Sequence, residues 1–306
     1  MPPTSLILET LRDIVLPAAG GSALTFALFF TRRRTAPFAS SAAVIVGFVW
    51  ANFTFGTLEW EGTHRLIPWK PDRSTWHFLP RAAVVLLGVG LVTRWLGLLV
   101  GRFLPERRWW VQNLLVWLPR WIAILIVGSW LIPVPWVEVY TWLKPALCTA
   151  MLFSWVALDG TARSESNGQT AFALSAMFLA AAGVIIHAHS KLFMDVAVVL
   201  GFAMFGVALV ARAARVEASG AIPAGVAFLP ALLLNVRYQT ESLVPLACFW
   251  LVGLAPLVLL PFLIPRVARQ NRWLVGTARL VFVLIPLVIA VVLAMENEQL
   301  PPEEDW

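Results

Sequence analysis

Charge is what this sequence has least of. Asp, Glu, Lys and Arg make up 13% of its 306 residues, about half the share of a soluble domain. With 59% of residues hydrophobic and a mean hydropathy of +0.79, there is too little polar surface to cover a core in water. Lipid is the solvent this composition suits. Cysteine is equally sparse. Cys148 and Cys248 both fall inside apolar runs, which excludes a disulfide framework and leaves two small buried hydrophobes. No phosphate-cradling glycine loop, His-Glu-x-x-His, Gly-x-Ser-x-Gly or Cys-x-x-Cys occurs. P-loop ATPase, zincin, serine-hydrolase and dithiol chemistry therefore find no motif, and no cofactor is expected.

Other absences narrow the class further. The formal net charge of +6 comes from short basic clusters between apolar runs, not from one continuous stripe, which argues against nucleic acid. Residues 1–15 carry Glu9, Arg12 and Asp13 and lack the basic head of a secretory signal. No soluble domain, flexible linker or low-complexity tract interrupts the chain. Twenty Arg against three Lys points to a GC-rich, bacterial genome, and so to a bacterial inner membrane.

What is present in quantity is apolar length. Hydrophobic spans fall at about 14–31, 40–58, 81–101, 110–132, 136–158, 170–187, 191–211, 218–236, 243–264 and 277–295, most of them near the roughly 20 residues that cross a ~30 Å hydrocarbon core. The expected fold is all-α: one polytopic bundle of ten spans covering residues 1–306. Sixteen tryptophans suit long membrane–water boundaries, where an apolar ring with one polar N–H is well placed.

Basic residues in alternate loops set the orientation. One set of loops holds twelve: Arg32–Arg34, Arg102, Arg107, Arg108, Arg163, Arg212, Arg215, Arg266, Arg269 and Arg272, against the acids Glu106, Asp159, Glu165 and Glu217. The other set, with both termini, holds seven basic and twelve acidic residues. The first set is expected in the cytoplasm and both termini outside. Ten spans so arranged divide into halves of five with opposite orientation, an inverted-repeat transporter plan. Pro17, Gly20 and Gly21 in the first span and Ala180 to Gly183 in the sixth occupy equivalent places. Close helix packing is the plainer use of such residues.

A charge within a span costs roughly 2.5–3.5 kcal/mol on insertion scales, so each needs a reason. Arg94, Arg120, Lys144 and Arg279 lie in spans, and Asp195 is the one acid there. Arg94 and Arg279 lie near enough to a boundary to snorkel. The run from Arg120 to Ile132 has only thirteen residues, so the fourth span either continues through Pro119 or follows an interfacial helix over Glu106 to Leu118. No carboxylate is expected level with Arg94 or Arg120, which makes a bound anion between spans three and four a candidate counter-ion. Asp195 is expected to pair with Lys191, four residues earlier on the same face, or with Lys144. A central carboxylate of the proton-relay kind is missing.

Uncharged polar groups add Asn52, whose ordinary role is an interhelical hydrogen bond. The four histidines, His64, His77, His187 and His189, all fall on the expected outer side without a metal-ligand spacing. The site residues proposed from sequence are thus Arg94, Arg120, Lys144, Asp195 and Asn52. Three functional classes follow. The first is a permease for a small solute or lipid, anionic if the arginines bind it. The second is a structural or assembly subunit that packs against other membrane subunits. The third is a membrane enzyme acting on lipid-linked substrates at the outer face, for which no catalytic residue stands out. A cavity would favour the first, a flat apolar flank the second, and a cleft lined by histidine and acid the third.

Overall fold

Backbone polar groups inside lipid must be satisfied within their own segment, and the helix does this without partners. The computed structural model describes residues 11–30, 36–54, 109–131, 142–164, 168–239, 244–264 and 272–297, with isolated positions between 88 and 99. Among the described residues every element is helical. In chain order these are α1 (Leu11–Gly20, π-helical), α2 (Gly21–Phe29), α3 (Ala36–Thr54), α4 (Trp109–Leu131), α5 (Leu143–Ser164), α6 (Gln169–His187), α7 (Lys191–Ala214), α8 (Ile222–Gln239), α9 (Leu246–Gly253) and α10 (Arg272–Glu296). A 3-10 turn, Ser219–Ala221, leads into α8, and a 3-10 stretch, Ala255–Leu263, follows α9.

Among the described residues, five helical segments are long and apolar enough to cross a membrane: Gln169–His187, Phe193–Ala214, Ser219–Arg237, Leu246–Leu263 and Leu274–Glu296. Their burial differs widely. The third is 94% buried and the fifth 28%, so α8 is the central post and α10 lies at the periphery. The long 3-10 stretch has a local cause. Pro256 and Pro261 each remove a backbone donor, and the tighter i to i+3 winding carries the chain onward.

Lipid tails are as apolar as leucine, so helices in a membrane gain little by hiding apolar surface from one another. Contact must come from close approach. The α1–α2–α3–α7 corner is built this way. A Cβ on Gly47 would stand 2.7 Å from the Ala18 carbonyl oxygen and 2.8 Å from Ser22 Cβ. A Cβ on Gly206 would collide with the Ala19 carbonyl and Ser22. Ser41 Oγ donates 2.7 Å to the Gly220 carbonyl across 179 residues of chain, which ties α3 to the turn before α8. The small residues of the expected repeat also pack neighbours, Gly21 against Trp50 and Gly183 against Val291.

α4 removes one alternative. It runs unbroken from Trp109 with Pro119 inside, so residues 109–118 belong to the same helix as Arg120 and do not form a separate interfacial segment. Its 23 residues span roughly 34 Å. α5 begins at Leu143 and continues past Asp159 to Ser164. The residues read from sequence as the start of a loop are therefore helical.

Candidate functional site: a cleft and a buried ion pair

The residues flanking α5 decide the layout. Gly160 faces Leu263 so closely that a Cβ there would collide with it. The late part of α5 therefore lies beside the end of the 3-10 stretch. α9 enters that span at Leu246 and runs the same way as α5, while α8 returns antiparallel to both. This brings Leu147 of α5, Arg237 of α8 and Leu246 of α9 to one end, and Ser154, Pro230, Gly253 and Leu254 to the other.

Between these helices lies a cleft. Its empty space, including the part open to the surroundings, is about 460 Å³. Leu147 to Ser154 and Pro230 to Arg237 each cover seven residues, roughly 10 Å of helix. The walls include Met151, Leu233, Phe249 and Trp250; Arg237 is the charged residue of the lining and Ser154 its hydroxyl. Lys144, half-buried, stands one turn before Leu147 at the Arg237 end.

Beyond Ser154 the same helix carries a closed ion pair. Arg120 Nη1 of α4 donates 2.9 Å to Asp159 Oδ2 of α5, with the two side chains only 3% and 6% exposed. The guanidinium also stacks 4.4 Å from the Trp117 ring centre and 5.0 Å from that of Trp155. Each such contact contributes about 2 kcal/mol when desolvated. This corrects the expectation that no carboxylate lies level with Arg120. Gly160, next in the chain, packs directly against Leu263. Arg279 is buried on α10, its guanidinium carbon 5.8 Å from the Phe262 ring centre.

Asp195 behaves differently again. It is buried near the start of α7, but among the described residues it forms no hydrogen bond or ion pair. The expected bond to Lys191 or Lys144 is absent. Lys191 is exposed at the first position of α7 and acts on Asp195 only through space. The carboxylate turns inward while the longer ammonium arm stays outside.

The remaining sequence candidates are scattered. Arg94, His64 and His77 lie outside the described residues, as does the side chain of Asn52 in α3. His187 ends α6, and His189 sits in the following turn with φ 55°. Among the described residues no three of His, Cys, Asp and Glu gather as metal ligands would. Cys148 and Cys248 are both buried free thiols, Cys148 Sγ donating 3.8 Å to the Ile124 carbonyl. Asp159, read from sequence as a loop acid, is the ion-pair partner of Arg120, and Arg237, which the sequence reading does not single out, follows the apolar run of α8 without a break and lies in the cleft wall.

No protein-family model matches the chain, and neither a curated protein nor a solved structure matches it. The class that can be stated is a helical protein with, among the described residues, five helical segments of membrane-crossing length and apolarity.

Proposed function

We propose that this chain is a permease for a small solute or lipid with anionic character, embedded in a bacterial inner membrane. The cleft between α5, α8 and α9 carries the reading: it is an apolar recess with Arg237 in its wall and Lys144 one turn above it. A recess of this kind is what a translocated ligand needs, and a cation at one end selects its charge. The remaining spans complete ten crossings with both termini outside, in two inverted halves of five. A cytoplasm-active reporter fused after Trp306 then stays silent, and a strong signal there overturns the arrangement.

The functional test is transport. Purified protein reconstituted in vesicles should accelerate the passage of an anionic fluorescent lipid or a small organic anion. Arg237→Gln should slow it at least tenfold. Equal rates for the variant and the native chain would dismiss the cleft as the path.

A second reading has its own observation. Leu274, Phe282, Ile285, Val288, Ile289 and Val292 of α10 are all exposed, a flank broad enough for another membrane subunit. Mild solubilisation followed by mass measurement distinguishes the two. A stoichiometric partner lost on Phe282→Ala and Ile289→Ala substitution favours the assembly role.

A further inference from the structure

Ala255–Leu263 holds nine residues in 3-10 winding, although runs beyond three or four are uncommon. The stretch forms the second half of the apolar span Leu246–Leu263. We infer that it is a two-register switch. In one register it is the observed 3-10 helix, and in the other it winds as α-helix and presents Leu260 and Leu263 in place of Leu259 and Phe262.

Burial shows how closely the stretch fits its present winding. From Pro256 onward it repeats every third residue. Pro256, Leu259 and Phe262 are buried, Leu257, Leu260 and Leu263 are half-buried, and Pro261 and Ile264 are exposed. Three is the period of a 3-10 helix, in which residues i and i+3 eclipse. An α-helix turns about 100° per residue instead of about 120°, so over the six residues from Pro256 its face drifts by about 120°. The residues in line with Pro256 then become Leu260 and Leu263. Nothing in the composition resists that rotation. Ala255–Leu263 contains no polar side chain, so turning it exchanges one apolar residue for another and drives no polar group into lipid.

Opposed contacts set the balance between the registers. The 3-10 form places Phe262 edge-on to Phe282 of α10 with ring centres 5.5 Å apart, and the Arg279 guanidinium carbon 5.8 Å from the Phe262 ring centre. Pro261 favours the same form. In an α-helix its ring would meet the Leu257 carbonyl, and its missing N–H would leave that carbonyl unbonded. The backbone favours the α form, because 3-10 hydrogen bonds have the poorer geometry. Leu263 in place of Phe262 offers Arg279 no ring. One register thus has the better side-chain contact and the other the better backbone bonds.

Conversion also changes length. Nine residues rise about 18 Å as 3-10 helix and about 13.5 Å as α-helix, a contraction of about 4.5 Å. α9 precedes the stretch directly, and its Phe249, Trp250 and Gly253 wall the cleft. The contraction moves that wall relative to the Leu263 end of the span.

The experiment measures the length in the full chain, reconstituted in lipid nanodiscs. Cys148 and Cys248 are replaced by alanine, and spin labels are attached through Leu246→Cys and Ile264→Cys, exposed positions at the two ends of the span. Pulsed electron–electron resonance should give a main distance and a minor one shorter by about 4.5 Å. Phe262→Ala removes the contacts with Phe282 and Arg279 and should at least double the short fraction. Pro261→Ala should make the short distance the main one. Labels through Leu274→Cys and Val292→Cys of α10, also exposed, should give one distance in every variant.

A single distance across the span in the native chain overturns the inference, whatever the variants show. A short fraction that Phe262→Ala leaves unchanged also overturns it. If Phe262→Ala fails to fold, Phe282→Ala removes the ring contact from the α10 side and is read in the same way. Two distances in the α10 pair count against it as well, because the change would then not belong to the stretch. Both registers in a chain that carries no anion into vesicles leave the switch standing and remove the permease reading.

Discussion

Asp159 and Asp195 are both buried acids on helices of the same chain, and their surroundings differ in an instructive way. Asp159 meets Arg120, 39 residues away, in a 2.9 Å contact enclosed by two tryptophans. Asp195 has Lys191 four residues away, at the spacing that favours helical pairing, yet forms no ion pair among the described residues. Proximity in sequence offers a partner, and burial decides whether it is accepted. Lys191 gains more from water at the helix start than from following a carboxylate inward. Arg120 sits eleven residues into α4 and has no such choice.

The comparison can be broken most violently at Arg120. Arg120→Ala leaves Asp159 charged and buried, so stability should fall by about 3–5 kcal/mol, read as a large drop in unfolding temperature in detergent. The double variant Arg120→Leu with Asp159→Leu should recover most of that loss, because apolar residues replace a buried ion pair at little cost or with a gain. Failure of the double variant to recover would mean that the tryptophan stacking, not the ion pair, holds α4 to α5. A smaller effect is expected at Asp195. Asp195→Asn keeps the volume and removes a charge with no hydrogen-bonded partner, so stability should stay within about 1 kcal/mol or rise. A loss as large as that at Arg120 would reveal an ion pair that is not found among the described residues. The smallest effect belongs to Lys191→Gln, an exposed residue, expected within ±0.5 kcal/mol.

Several helices could be read directly from the sequence. Apolar runs near 20 residues bounded by charged or proline-rich breaks mark α6, α7, α8 and α10, because lipid makes a helix the only open-ended way to bury a backbone. The π-helical start at Leu11–Gly20 and the 3-10 stretch Ala255–Leu263 were visible only as prolines, since a proline says that a donor is missing and not how the chain accommodates the loss. Asp159 shows another limit: the apolar run ends at residue 158, so the acid counts as a loop charge, yet α5 continues to Ser164.

The candidate site was less legible than the fold, for a related reason. Lys144 was noticed because it interrupts an apolar run, and Arg120 for the same reason. Nothing in the run around either residue tells what faces it. Asp159 and Arg237 were passed over because each stands at the edge of an apolar run, where a charge needs no explanation.

By itself the sequence determined the solvent this chain is made for, the helical form of its segments and which few charges must be accommodated among them. These follow from local composition, since transfer to lipid and backbone hydrogen bonding act segment by segment. Only the tertiary structure decided that Arg120 is neutralised by Asp159, that Asp195 lies without a bonded cation among the described residues and that α5, α8 and α9 leave a cleft with Arg237 in its wall. Each of these depends on which helix faces lie against one another. In a membrane that choice rests on close packing between distant segments, and no single stretch of sequence contains both sides of the contact.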